Sequence, residues 1–82
     1  MKTMQVSALI TFMQTLIAEE TNTQNTAIST SVEFHEFGLD SISAMFLIEQ
    51  LEQKFKVSIS PLHFWDYPTI EKLAHQIVTE NT

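Results

Sequence analysis

The residues best suited to chemistry in this chain sit in one short stretch. Asp40 and Ser41 follow the only glycine, Gly38, and open a segment whose apolar residues recur at helical spacing. A serine at a helix N-terminus has its hydroxyl at the exposed tip, and Asp40 or Ser41 would serve equally as the N-cap. Glu33, Glu36 and Asp40 form a small acidic group ahead of that helix, where carboxylates are ordinary partners of the helix dipole. His35, His63 and His75 are far apart and have no H-x-x-x-H spacing. The chain has no cysteine, which excludes a thiolate nucleophile, a disulfide and a zinc-thiolate site, and no metal centre is expected. The acidic group lacks the D-x-D-x-D-G pattern of a calcium loop. Ser41 with His35 makes no triad, having no oxyanion loop and no third partner. An enzyme is therefore the poorest reading.

A small scaffold must position these residues. The chain has 82 residues, enough for one domain spanning 1–82. At that size about 60–65% of the unfolded surface is buried, which leaves little room for a deep pocket as well as a core. The net charge is -6, and the four cationic residues are all lysines. No basic stripe exists for a phosphate backbone, so nucleic acid is not an expected partner. Gln5, Ser7, Thr11, Gln14 and Thr15 interrupt the apolar lead, and no run approaches the roughly 18 residues that span a bilayer. The expectation is a cytoplasmic monomer without membrane contact.

Three segments have helical periodicity. Val6, Leu9, Ile10, Met13, Leu16 and Ile17 share one stripe of a first helix over about residues 4–20, with Phe12 at its edge. Residues 21–31 are rich in Thr, Asn and Ser, which favours a loop. The loop runs on through Gly38, about twenty residues without regular structure, with Val32, Phe34 and Phe37 pinning it to the core. A positive φ or a close backbone approach accounts for Gly38. The second helix starts near Ser41, buries Ala44, Leu47, Ile48, Leu51 and Phe55, and ends at Lys54 and Lys56, where cations suit the dipole. Leu62 to Asp66 makes one short turn with Pro61 at its start. Thr69 caps the last helix, whose stripe is Ile70, Leu73, Ala74 and Ile77, ending near residue 79. The fold class is all-α: a small bundle of three main helices and one short one, with a long loop between the first two.

The second helix has a second apolar face. Ile42, Met45, Phe46 and Glu49 fall at i, i+3, i+4 and i+7, and a bundle this small buries one face of each helix. Contiguous exposed apolar surface marks an interaction site. In the competing arrangement Ile42 and Met45 tuck under the long loop as ordinary core.

Phe37-Gly38-Leu39-Asp40-Ser41-Ile42 resembles the modification site of acyl carrier proteins of the polyketide-synthase type, whose pattern is G-x-D-S-[LI] at the start of the second helix. Phe34 and Phe37 are similar to the family's aromatic lead-in. Phe64-Trp65-Asp66-Tyr67-Pro68-Thr69-Ile70 resembles its short third helix and the D-Y-P-T opening of the fourth, and Leu73-Ala74 its L-A pair. The resemblance covers residues 32–78. It implies that Ser41 carries a covalent 4′-phosphopantetheine arm, delivered from coenzyme A by a phosphopantetheinyl transferase. It also implies that Asp40 helps to position metal-bound coenzyme A, and that Gly38 and Leu39 belong to the cofactor site. The arm's thiol would then hold acyl cargo for a ketosynthase, an acyltransferase and other polyketide-tailoring enzymes.

The sequence departs from the family in places. Residues 41–56 hold Glu49 and Glu52 against Lys54 and Lys56, so the second helix is neutral where fatty-acid carriers are acidic. Phe46 stands where relatives commonly have Glu, which moves the expected partner face of Ile42, Met45, Phe46 and Glu49 from charge towards apolar contact. Leu47 stands where carriers serving β-branching enzymes have Trp, which argues against that subclass. Peptidyl carriers favour G-G-x-S, so Leu39 tilts the reading to polyketide. A peptidyl carrier and an unmodified helical interaction module are the alternatives.

Overall fold

The computed structural model describes residues 5–24 and 27–81. Four helices follow in order: α1 Val6–Thr21, α2 Ser41–Phe55, α3 His63–Asp66 and α4 Ile70–Asn81. The expected all-α bundle, three main helices and one short, is what forms. The expected start of α1 near residue 4 lies outside the described residues, as do Asn25 and Thr26 of the first connection.

Burial selects one stripe from each main helix. Leu9, Met13 and Ile17 of α1 meet Ala44, Leu47, Ile48 and Leu51 of α2 and Ile70, Leu73, Ala74 and Ile77 of α4 in a single core. Val6, Ile10 and Leu16 flank the α1 stripe and are only partly buried, while Ala18 joins the interior. Phe12 meets Phe55 edge-on at 5.6 Å between ring centroids, closing the end of the bundle away from Ser41. Ile59 in the connection after α2 is also buried.

The helix ends are closed by local chemistry. After α1, Asn22 takes a left-handed conformation (φ 56), and the Thr23 N–H donates to the Ala18 carbonyl at 2.8 Å, satisfying carbonyls that the helix leaves open. Lys56 does the same after α2 at φ 57, beyond the dipole role the sequence suggested. The Ile59 N–H then donates to Glu52 Oε2 at 2.9 Å. Thr69 caps α4 as expected, its Oγ1 accepting from the Lys72 N–H at 3.1 Å, and that helix runs two residues past the expected end.

Two expectations need correction. The first connection is not irregular throughout: Phe34–Phe37 form a 3-10 turn. Residues three apart line up in such a turn, so Phe34 and Phe37 can both face the core. Phe34 is fully buried and Phe37 partly so, but Val32 is only half-buried, and Ile28 supplies the other deep anchor. In addition, α3 begins at His63, with Leu62 as its cap residue, so Pro61 lies outside the helix. Its carbonyl accepts from the Phe64 N–H at 3.2 Å.

Candidate functional site

The segment leading to Ser41 is tied to the far end of the chain. Thr30 O accepts from the Glu71 N–H at 3.1 Å, Glu33 forms an antiparallel bridge with Thr69, and the Phe34 N–H donates to Pro68 O at 2.7 Å. Phe34 also stacks on Phe64 of α3, with centroids 4.4 Å apart and planes 14° from parallel. The connection is therefore held against α3 and the start of α4 before it turns into α2.

Gly38 makes that turn. Its φ is 78, and its N–H donates to His35 O at 3.1 Å, ending the 3-10 turn. No heavy atom beyond the glycine and its two chain neighbours lies within 4 Å of where a Cβ would stand, so positive φ, and not a close approach of other protein groups, accounts for the glycine. Leu39 then turns back against the core, lining a shallow crevice between α1 and α2 with Leu16, Ile17, Phe46 and Leu47.

Asp40, not Ser41, is the N-cap. Its Oδ1 accepts from the Ser43 N–H at 2.8 Å, and its carbonyl accepts from the Ala44 N–H at 2.9 Å. The Ser43 N–H holds the Asp40 carboxyl below its ordinary range. Capping by Asp40 leaves Ser41 free of that task. Ser41 is exposed at the first position of α2, and its Oγ makes no hydrogen bond among the described residues. Open N–H groups and the positive end of the dipole lie beside it. The donor set fits an anionic ester on Ser41 Oγ: the hydroxyl is accessible, uncommitted and next to groups that favour negative charge. Glu20, which the sequence did not single out, reaches the same turn, its Oε1 accepting from Ser43 Oγ at 2.9 Å.

The second apolar face of α2 stays outside. Ile42 is 80% exposed, so it does not tuck under the loop, and Met45 and Phe46 are half-exposed, with exposed Glu49 further along the same face. Leu62 and Trp65 on and beside α3 are a second exposed apolar pair, Trp65 at 64%. Sequence reasoning missed this pair. The signal was the neighbouring Phe64-Trp65: adjacent helical side chains point about 100° apart, so a one-turn helix buries only one of them. The α3 turn is fastened on its other side by His63 Nε2, 3.0 Å from Glu80 Oε2.

The remaining candidates disperse. Glu33 lies 3.3 Å from His35 Nδ1 on the surface, and Glu36 and His75 are exposed. Among the described residues no group of three or more His, Asp or Glu side chains could hold a metal ion, and no helix is long and apolar enough to cross a membrane.

Comparison with known proteins gives the chain a family and a fold. Residues 11–77 match the family described as "Phosphopantetheine attachment site". The chain is 31% identical over 71 residues to polyketide synthase PksL of Bacillus subtilis, covering 87% of this chain and 2% of that protein. It is 43% identical over 51 residues to malformin synthetase mlfA of Aspergillus brasiliensis, covering 62% of this chain and 1% of that protein. Both relatives are thus far longer than the chain. Among solved structures, a free-standing peptidyl carrier protein from an Acinetobacter baumannii secondary metabolic pathway superimposes with a TM-score of 0.86 at 33% identity, covering 95% of this chain and 98% of that one. The HMG-ACPI domain of the CurA module from Lyngbya majuscula shares the fold, with a TM-score of 0.75 at 23% identity over 95% of this chain and 83% of that one.

Proposed function

This chain belongs to the phosphopantetheine attachment site family, whose carrier domains hold 4′-phosphopantetheine covalently and are not themselves catalysts, and on that premise we propose that Ser41 bears the arm and that the chain carries acyl intermediates in polyketide synthesis. The observation that supports Ser41 is its hydroxyl, exposed at the head of α2 and relieved of capping by Asp40. In the attachment step Ser41 Oγ bonds to the phosphorus that bears pantetheine in coenzyme A. The bond from that phosphorus to the adenosine bisphosphate breaks, and the serine proton passes to a base on the transferase. When bound, the arm supplies a thiol for thioester chemistry, which suits a chain that has no cysteine of its own.

The partner face in this reading is Ile42, Met45 and Phe46 with Glu49 at the rim, and Leu62 and Trp65 are a second exposed apolar pair at α3. A phosphopantetheinyl transferase is the first partner, followed by a ketosynthase, an acyltransferase and tailoring enzymes. Leu39, standing where peptidyl carriers favour glycine, and the likeness to PksL over most of the chain support the polyketide type. The peptidyl type is supported by the A. baumannii carrier at 33% identity.

Intact-mass measurement after incubation with coenzyme A and a promiscuous transferase tests the attachment. A phosphopantetheine gain that disappears in Ser41→Ala is expected; no gain under conditions that modify a control carrier favours an unmodified module. The holo chain then separates the two carrier types. Malonyl transfer from a polyketide acyltransferase supports the first type, and aminoacylation by an adenylating enzyme in its place supports the second.

A further inference from the structure

We propose that Glu20 is a positioning residue for the modification of Ser41, acting through Ser43. The inference rests on the reading of Ser41 as the attachment residue. The first turn of a helix has N–H groups without intrahelical partners, and its geometry is only as firm as its outside contacts. Here the third residue of α2, Ser43, is held from two directions. Its N–H donates to Asp40 Oδ1 at 2.8 Å, and its hydroxyl donates to Glu20 Oε1 at 2.9 Å.

The second bond comes from another helix, twenty-three residues back in the chain. Glu20 stands on a finished helix end, because Asn22 and Thr23 close α1 onto the Ala18 and Glu19 carbonyls. Leu16 and Ile17 of α1 face Phe46 and Leu47 of α2 across the crevice, with Glu20 and Ser43 at its polar edge. The apolar packing sets the helix separation at which the Glu20 carboxylate reaches Ser43.

A hydroxyl has one proton to donate. Glu20 takes that proton in the structure, leaving Asp40 with the backbone N–H. Without Glu20 the turn that carries Ser41 loses its polar tie to the end of α1. Glu20 thus steadies the turn from which Ser41 projects, beside the Asp40 cap.

The test is steady-state loading from coenzyme A by a phosphopantetheinyl transferase, read by intact mass, with the full chain as substrate. Glu20→Ala is expected to lower kcat/KM about fivefold, mainly through KM for the chain, as fits loss of one exposed hydrogen bond. Glu20→Gln keeps an accepting oxygen and is expected to load within about twofold of the parent. Ser43→Ala should match Glu20→Ala, and the double variant should be no slower than either single one. Parent-like loading of Glu20→Ala overturns the proposal, even if its melting temperature falls. So does an equal loss in Glu20→Gln, which would mark a charge effect, or additive losses in the double variant. A mass gain that survives Ser41→Ala overturns the attachment reading itself, and the Glu20 inference with it.

Discussion

Phe34 and Phe46 have opposite jobs, and substituting each tests that division. Phe34 is 1% exposed and stacks on Phe64 at 4.4 Å. Phe34→Leu keeps most of the buried volume but removes the ring pair, worth about 0.5–1.5 kcal/mol. Reshaping the site adds up to about 1.5 kcal/mol. The expected loss is about 2 kcal/mol, or about 8–16 °C in Tm for a domain of this size. Phe34→Ala, at about 3–5 kcal/mol, approaches the whole stability expected of so small a domain. Phe46 is half-exposed on α2, and alanine's better helix propensity offsets part of what its removal forfeits. Phe46→Ala should therefore change stability by no more than about 1 kcal/mol while slowing transfer to a docking enzyme. Urea unfolding followed by circular dichroism and by the fluorescence of Trp65, the only tryptophan, provides the comparison. The reasoning is refuted if Phe34→Leu costs less than about 0.5 kcal/mol, or if Phe46→Ala destabilises as much as Phe34→Leu. For docking, the refuting result is Phe46→Ala or Phe46→Glu transferring cargo at the parent rate with every partner tried.

Two further predictions follow from the turn around Ser41. Gly38→Ala places a Cβ in open space but at φ 78, so the expected loss is the backbone term alone, about 1–2 kcal/mol, with Gly38→Asn losing less. Thermal melts that show no loss for Gly38→Ala would argue that the residue does not occupy the left-handed region. The Asp40 carboxyl is held below its ordinary range by the Ser43 N–H, so its ionised form stabilises the fold above the unfolded-chain value of about 3.9. That contribution is lost as pH falls through the lower folded value. Asp40→Asn keeps a capping oxygen, so the gap in Tm between parent and variant should shrink on acidification from about pH 5 to pH 3. A gap that stays constant over that range would mean that the Asp40 charge adds nothing.

Much of this protein was legible in its sequence, because the relevant signals are local. The spacing of Leu9, Met13 and Ile17, of Leu47 and Leu51, and of Ile70, Leu73 and Ile77 specifies three helices and their buried stripes. Thr69 announces a cap from its position alone, Gly38 a left-handed turn, and Asp40-Ser41 the head of α2. Tertiary structure settled choices that periodicity leaves equal. Asp40 and Ser41 are both good caps, and only the observed Asp40–Ser43 bond assigns the task and leaves Ser41 unengaged. Periodicity places Ile42, Met45 and Phe46 on one face, but whether that face is covered depends on where the long connection runs. Pinned at Ile28 and Phe34 and tied to Pro68 and Thr69, the connection leaves Ile42 exposed. In the same way the Phe34–Phe64 stack directs Phe64 inward and so turns Trp65 out. The bond from Glu20 to Ser43 joins residues with no relation in sequence spacing, and it exists because apolar packing brings the end of α1 to the first turn of α2.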